Sequence, residues 1–188
     1  MSTATVTSVL SILTIVGHVI LVLAILGGLI GRSGRLNIVR RYFALIRDNA
    51  LQFGFVVALL ATAGSLYYSE VAHFTPCILC WYQRIVVYPQ FVLFGIALIR
   101  KERVILPYAM ALAVIGILIA AYQYGIQVSE TFRTATEGLA PCSLVGYSPS
   151  CATKFVFQFG YITIPLMSFT ASALLLLVSV VGRRQEKD

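Results

Sequence analysis

Pro76-Cys77-Ile78-Leu79-Cys80-Trp81-Tyr82-Gln83-Arg84 sets two cysteines, two residues apart, at the head of an apolar run that continues through Ile99. A pair at this spacing closes a small disulfide or works as two thiols, and the second thiolate is favoured at a helix N-terminus beside a cation. The apolar run predicts a helix beginning near Cys80, and the i+4 spacing puts Arg84 on the same face one turn further in. The preceding flank is apolar as well, so the pair is expected at a membrane edge, between two spanning helices.

Working outward, segments long enough to span a bilayer fall at about Val6–Ile30, Asn49–Ser69, Trp81–Ile99, Val104–Gly125 and Gly160–Val181, since spanning takes roughly 20 mostly apolar residues. The 188 residues are 59% hydrophobic and 11% charged, against about 45–50% and about 25% in soluble domains. The fold expected is all-α, a polytopic membrane helix bundle. The first segment has no basic residue before it and is longer than the 7–15 residues of a signal-peptide core, so it is read as a retained helix.

A net charge of +7 would suggest nucleic acid as a partner if the cations formed one patch. They do not. Arg32, Arg35, Arg40, Arg41 and Arg47 lie between the first two segments, Arg100, Lys101 and Arg103 between the third and fourth, and Arg183, Arg184 and Lys187 at the C-terminus. Basic residues confined to alternate connections put those connections in the cytoplasm. The N-terminus, the Cys77/Cys80 pair and the long Gln127–Phe159 connection are then outside. Apolar residues interleave with the arginines of 35–47, which suits either a short interfacial helix or an ordinary basic linker.

All four cysteines, Cys77, Cys80, Cys142 and Cys151, therefore fall on the side where disulfides persist. Four sulfurs could hold zinc, but a second close pair is missing and the first lies at the membrane edge, against a closed tetrahedral site. Two structural bridges are a second reading. It suits Cys142 and Cys151 better than Cys77 and Cys80, because so small a loop gains little chain-entropy stabilisation. The third reading is electron transfer by thiol–disulfide exchange, which needs a reactive thiolate, an acceptor within reach and a second pair able to meet a protein partner. Cys80 with Arg84, a lipid-soluble quinone and the long loop would supply these in turn. Spacing leaves the pairing open, since four cysteines allow three connectivities.

The seven acidic residues all lie at segment ends or in connections, which leaves no buried carboxylate relay for an ion pump. Arg84 is the one charge well within a membrane segment, where it costs roughly 2.5–3.5 kcal/mol; it either snorkels to the headgroups or serves the site. His18 in the first segment is read as a packed, hydrogen-bonded neutral imidazole. The glycines of 27–34 lack the Gly-Lys-Ser/Thr ending of a phosphate loop.

Gly64-Ser65-Leu66-Tyr67-Tyr68-Ser69-Glu70, the run from Pro76 to Ile85, and Tyr161-Ile162-Thr163-Ile164-Pro165-Leu166-Met167-Ser168 resemble the DsbB family of disulfide-bond formation proteins, in particular its BdbC-type branch. The likeness covers roughly Asp48 to Gly182. It implies a four-helix redox core over 49–182 in the bacterial cytoplasmic (inner) membrane, carrying the long extracytoplasmic loop at about 126–159. An extra transmembrane helix (1–31) and a basic cytoplasmic linker (32–48) precede the core, and a cytoplasmic tail (183–188) follows it. The activity implied is oxidation of a thioredoxin-fold thiol oxidase of the DsbA or BdbD kind, with electrons passed to ubiquinone or menaquinone. By this resemblance Cys77 and Cys80 are the quinone-coupled pair, Arg84 positions the quinone, and Cys142 and Cys151 are the shuttle pair. No metal and no nucleic acid are implied. Some members carry a histidine near the end of the helix before the loop, where this sequence reads Tyr122-Gln123-Tyr124.

Two rivals define the tests. A vitamin-K-epoxide-reductase-like protein also couples cysteine pairs to a quinone, but with the close pair late in its core rather than early. A non-enzymatic membrane subunit would hold two inert bridges.

Overall fold

The computed structural model describes residues 2–31, 37–132 and 151–183. Among the described residues there are six α-helices: α1 (Thr3–Gly31), α2 (Asn37–Asp48), α3 (Ala50–Leu66), α4 (Ile78–Arg100), α5 (Leu106–Phe132) and α6 (Ile164–Arg183). All but the short α2 are long and apolar enough to cross a membrane, the second span being α3 together with a π-helical turn, Tyr67–Val71. The expected polytopic helical bundle is the observed fold, and its boundaries differ where local chemistry intervenes. Helix α4 begins three residues earlier than the apolar run implied and continues unbroken through Pro89. It ends at Lys101 in the left-handed region (φ 56°), where the Lys101 N–H returns to the Ala97 carbonyl. Helix α6 begins later than the apolar run, because Gln158–Tyr161 closes a tight turn first. Phe159 (φ 52°) and Gly160 (φ 79°) are both left-handed, as a type I′ turn requires, and Tyr161 N–H donates to Gln158 O at 3.2 Å.

Within a bilayer the backbones are held together by close packing rather than by expulsion of water, which favours small residues at helix contacts. Gly54 on α3 receives the ring of Phe94 from α4; Gly116 on α5 lies against Ser172, and Gly182 on α6 against Ala50. Phe94, Ala58, Leu106, Ala109, Ala113 and Leu175 are fully buried together in the middle of the bundle. At the end away from the cysteines, Arg103 Nη1 donates to the carbonyls of Arg47 (2.9 Å) and Gly182 (3.1 Å). Those carbonyls close α2 and α6, helix ends whose orphan acceptors favour a cation.

Residues 37–48 of the basic linker are a helix, amphipathic and with Arg40 and Arg41 exposed. Helix α1 lies outside the four-helix core and leans on α6 and α2. Gly17 faces Thr170 and Leu174, Gly27 faces Phe43, and Tyr42 OH donates to Ile20 O at 3.0 Å. His18 Nε2 pairs with the Thr170 hydroxyl at 2.9 Å, matching the packed imidazole expected.

Candidate functional site

The segment between α3 and α4 and the segment before α6 are fastened to each other by aromatic rings. Phe74 N–H donates to Tyr68 O at 2.9 Å, the Tyr68 and Phe74 rings stack at 5.7 Å, and Phe74 stacks on Phe155 at 5.2 Å. Gln127 Nε2 on α5 donates to Thr153 O at 3.2 Å. These contacts seat Cys151 against Cys77, over an apolar bed that includes Leu79, Ile119 and Ile126. Cys77 and Cys151 are 3% and 1% exposed, and the Cys151 thiol is within hydrogen-bonding reach of Cys77. Cys142 lies outside the described residues.

Cys77, not Cys80, is the N-cap of α4. Its backbone is extended (φ −74°, ψ 170°), its carbonyl accepts the N–H of Trp81 at 3.1 Å, and the helix brings Cys80 Sγ to 3.1 Å from Cys77 Sγ. The sulfur favoured as thiolate is accordingly the first of the pair: a hydrogen bond from Cys80 holds Cys77 below the usual thiol range, against the opposing effects of burial and of Cys151. The donor aimed at both sulfurs is Gln123 on α5, whose Nε2 lies 3.2 Å from Cys77 Sγ and 3.4 Å from Cys80 Sγ. Gln83 Nε2 donates to Gln123 Oε1 at 2.9 Å and fixes the direction of that amide. Both glutamines are buried, and a buried amide remains there only because its hydrogen bonds are made. Sequence reasoning passed over them. The usable signal was uncharged polar residues on otherwise apolar spanning helices, at positions 83, 90, 123 and 127, which in membrane helices mark interior faces.

Arg84, one turn beyond Cys80 on α4, borders the same cavity as the cysteines. Its Nε donates to Ser65 Oγ and its Nη2 to Ser65 O, each at 3.1 Å, and its Cζ lies 5.0 Å from the centre of the Trp81 ring. The cation is thus oriented by α3 and by its own helix, and the sulfurs take their donor from Gln123 instead. Ser65 lies just before the α-to-π transition at Tyr67, a feature common at functional sites.

Between these groups opens a cavity of about 310 Å³, reached by Cys77, Cys80, Arg84, Ser65, Tyr88 and Gln123 and walled for the most part by apolar side chains. A mainly apolar space of this size with a few convergent donors fits a small uncharged ligand whose oxygen atoms can accept hydrogen bonds.

A membrane helix bundle with adjoining cysteines at one end, opening on a mainly apolar cavity, defines the class of membrane thiol–disulfide proteins. The family model for "Disulfide bond formation protein DsbB" matches residues 47–182. A "Probable disulfide formation protein" of Coxiella burnetii (strain CbuK_Q154) is 40% identical over 134 residues, covering 71% of this chain and 86% of that protein. One of Oceanobacillus iheyensis is 34% identical over 142 residues, covering 74% and 92%. A "Probable disulfide formation protein C 1" of Bacillus cereus is 38% identical over 122 residues, covering 65% and 83%. No solved structure matches. The chain belongs to the DsbB family of disulfide bond formation proteins, and it is a multi-pass, disulfide-bond-forming membrane protein with a thiol oxidoreductase role.

Proposed function

We propose that this protein reoxidises an extracytoplasmic thioredoxin-fold thiol oxidase and passes the electrons to a membrane quinone. The observation that carries the reading is the file of three sulfurs, Cys151 against Cys77 and Cys77 against Cys80, with the last bordering an apolar cavity that also holds an arginine. The cysteine end is extracytoplasmic on this reading, because the basic residues around Arg47, Arg103 and Arg183 lie at the opposite end.

A partner thiolate attacks Cys142 of a Cys142–Cys151 disulfide, forms a mixed disulfide and releases Cys151 as thiolate; the partner's second thiol then frees Cys142 and leaves the partner oxidised. Cys151 attacks Cys77 of the Cys77–Cys80 disulfide and releases Cys80, after which Cys142 attacks Cys151 and restores the shuttle pair. Cys77 and Cys80 now hold both electrons as a reduced pair. Gln123 donates to whichever of the two sulfurs is ionised, and it carries no titratable proton of its own. Arg84, held by Ser65, presents a fixed cation to the cavity. A quinone bound in the cavity would supply a sink for the two electrons and two protons given up as the Cys77–Cys80 bond re-forms.

The test is to mix purified protein with a reduced thioredoxin-fold partner and a soluble quinone. The parent should reduce the quinone and oxidise the partner in equal amounts over many turnovers, and Cys80→Ser should reduce no quinone and oxidise no more than one equivalent of partner. Quinone reduction by Cys80→Ser at the parent's rate would sink the assignment.

A further inference from the structure

The family match begins at residue 47, so α1 is an addition to the family's core, and yet it borders the cavity. Leu10, Leu13, Thr14, Gly17 and Ile20 face the same space as Cys80 and Arg84. Their spacing of three or four residues draws one stripe along the helix. From Leu10 to Ile20 that stripe rises roughly 15 Å at 1.5 Å per residue, about half the thickness of a hydrocarbon core.

The helix is fixed in place rather than loosely apposed. Near its outer end Thr7 accepts from Tyr68 OH at 3.4 Å, and Leu10 approaches Gly64 so closely that a Cβ there would stand 3.2 Å from Leu10 Cδ1. Further in, a Cβ on Gly17 would stand 2.8 Å from Thr170 Cγ2, and His18 pairs with the same threonine. Contacts to α3 on one side and α6 on the other hold α1 across the mouth of a space that begins at the sulfurs. The donors, Arg84, Gln123 and Ser65, gather near the sulfurs, whereas the α1 stripe is aliphatic apart from Thr14, whose hydroxyl is spent on Leu10 O at 2.8 Å. One end is therefore suited to a ring bearing oxygen atoms, and the α1 side to a hydrocarbon chain.

We propose that α1 is the tail-binding wall of this site: Leu10, Leu13, Thr14, Gly17 and Ile20 hold the first prenyl units of the quinone whose ring lies by Cys80. Selection of the acceptor then depends on its tail as well as its ring. The proposal rests on the quinone reading above and adds to it an element the family's core lacks.

The experiment uses the full chain in detergent, a reduced partner, and two quinones with the same ring, one without a tail and one with two prenyl units. Thr14→Phe narrows the stripe and should raise KM for the prenylated quinone about tenfold, the equivalent of roughly two methylenes left unburied. KM for the tail-less quinone should move less than about twofold, and kcat should hold. Leu13→Ala removes wall rather than adding bulk and should raise the same KM; it serves if Thr14→Phe does not fold. Independently of turnover, a quinone with a diazirine on its first prenyl unit should crosslink to the α1 peptide containing residues 10–20. Equal KM shifts for both quinones, or crosslinks on α3 and α6 only, would overturn the proposal while Cys80-dependent quinone reduction stood. Loss of that reduction in the unmutated protein would instead remove the quinone reading itself.

Discussion

Arg84 is locked to Ser65 by two hydrogen bonds from one guanidinium, Nε to the hydroxyl and Nη2 to the carbonyl, both at 3.1 Å. The fork matters because a point-charge ammonium cannot reproduce two bonds in fixed directions. A charge held this way inside a spanning helix has its desolvation offset by α3, and it keeps one orientation toward the cavity.

Arg84→Ala should therefore raise KM for a soluble quinone about tenfold with kcat changed little, as expected for loss of uniform binding. Arg84→Lys should recover only part of the loss, and Ser65→Ala should shift KM in the same direction by less. Steady-state quinone reduction at varied quinone concentration measures all three. An unchanged KM in Arg84→Ala would make Arg84 a topological anchor only.

Gln123→Leu should slow re-formation of the Cys77–Cys80 disulfide roughly 10- to 100-fold, the range set by about 1.5–3 kcal/mol for a hydrogen bond to a charged group. The substitution also leaves the buried Nε2 of Gln83 without its acceptor, so a lower melting temperature should accompany it. Stopped-flow monitoring of the reduced pair with excess quinone reads the rate. A parent-like rate would mean that the amide only fills space.

For the reduced protein, the hydrogen bond from Cys80 keeps the Cys77 pKa below that of an ordinary thiol. A depressed folded-state pKa means that folding favours the thiolate. The resulting stabilisation is present above the unfolded-state pKa and is lost as pH falls through the lower folded value. Cys80→Ala removes the donor and should move the pH midpoint of Cys77 alkylation upward. A midpoint that stays or drops would show that another group sets the acidity.

Gly54→Ala tests the packing that carries the site. A Cβ at this position collides with the ring of Phe94, which is fully buried and has nowhere to turn. Overpacking of this kind costs about 1–3 kcal/mol. Thermal unfolding in detergent should show the loss, and Phe94→Leu in the same chain should restore much of it. No destabilisation in the single variant would mean that α3 and α4 separate more easily than their contact implies.

Most of the architecture was legible in the sequence because a bilayer imposes a length on every spanning segment, and the five apolar runs need no tertiary knowledge to be seen. Helix ends were less legible. The α4 start fell at the extended backbone of Cys77, and the α6 start after two left-handed residues at Phe159 and Gly160. The cysteines were visible as residue types. Which sulfur touches which depended on the Tyr68–Phe74–Phe155 stack, whose Phe74–Phe155 contact joins distant parts of the chain and is encoded by no local pattern. The same holds for Gln123: i+4 spacing within α4 pointed to Arg84 as the neighbour of the sulfurs, whereas the donor came from another helix.

Arg103 ties the helix ends together far from the sulfurs, whereas all three described cysteines and the cavity share the opposite end. On the proposed route electrons enter and leave through that one end, so no charge traverses the thickness of the bilayer during turnover. An imposed voltage, which acts on a charge crossing the membrane with about 2.3 kcal/mol per 100 mV, then has no lever on the rate. Vesicles held at different potentials should form disulfides equally fast.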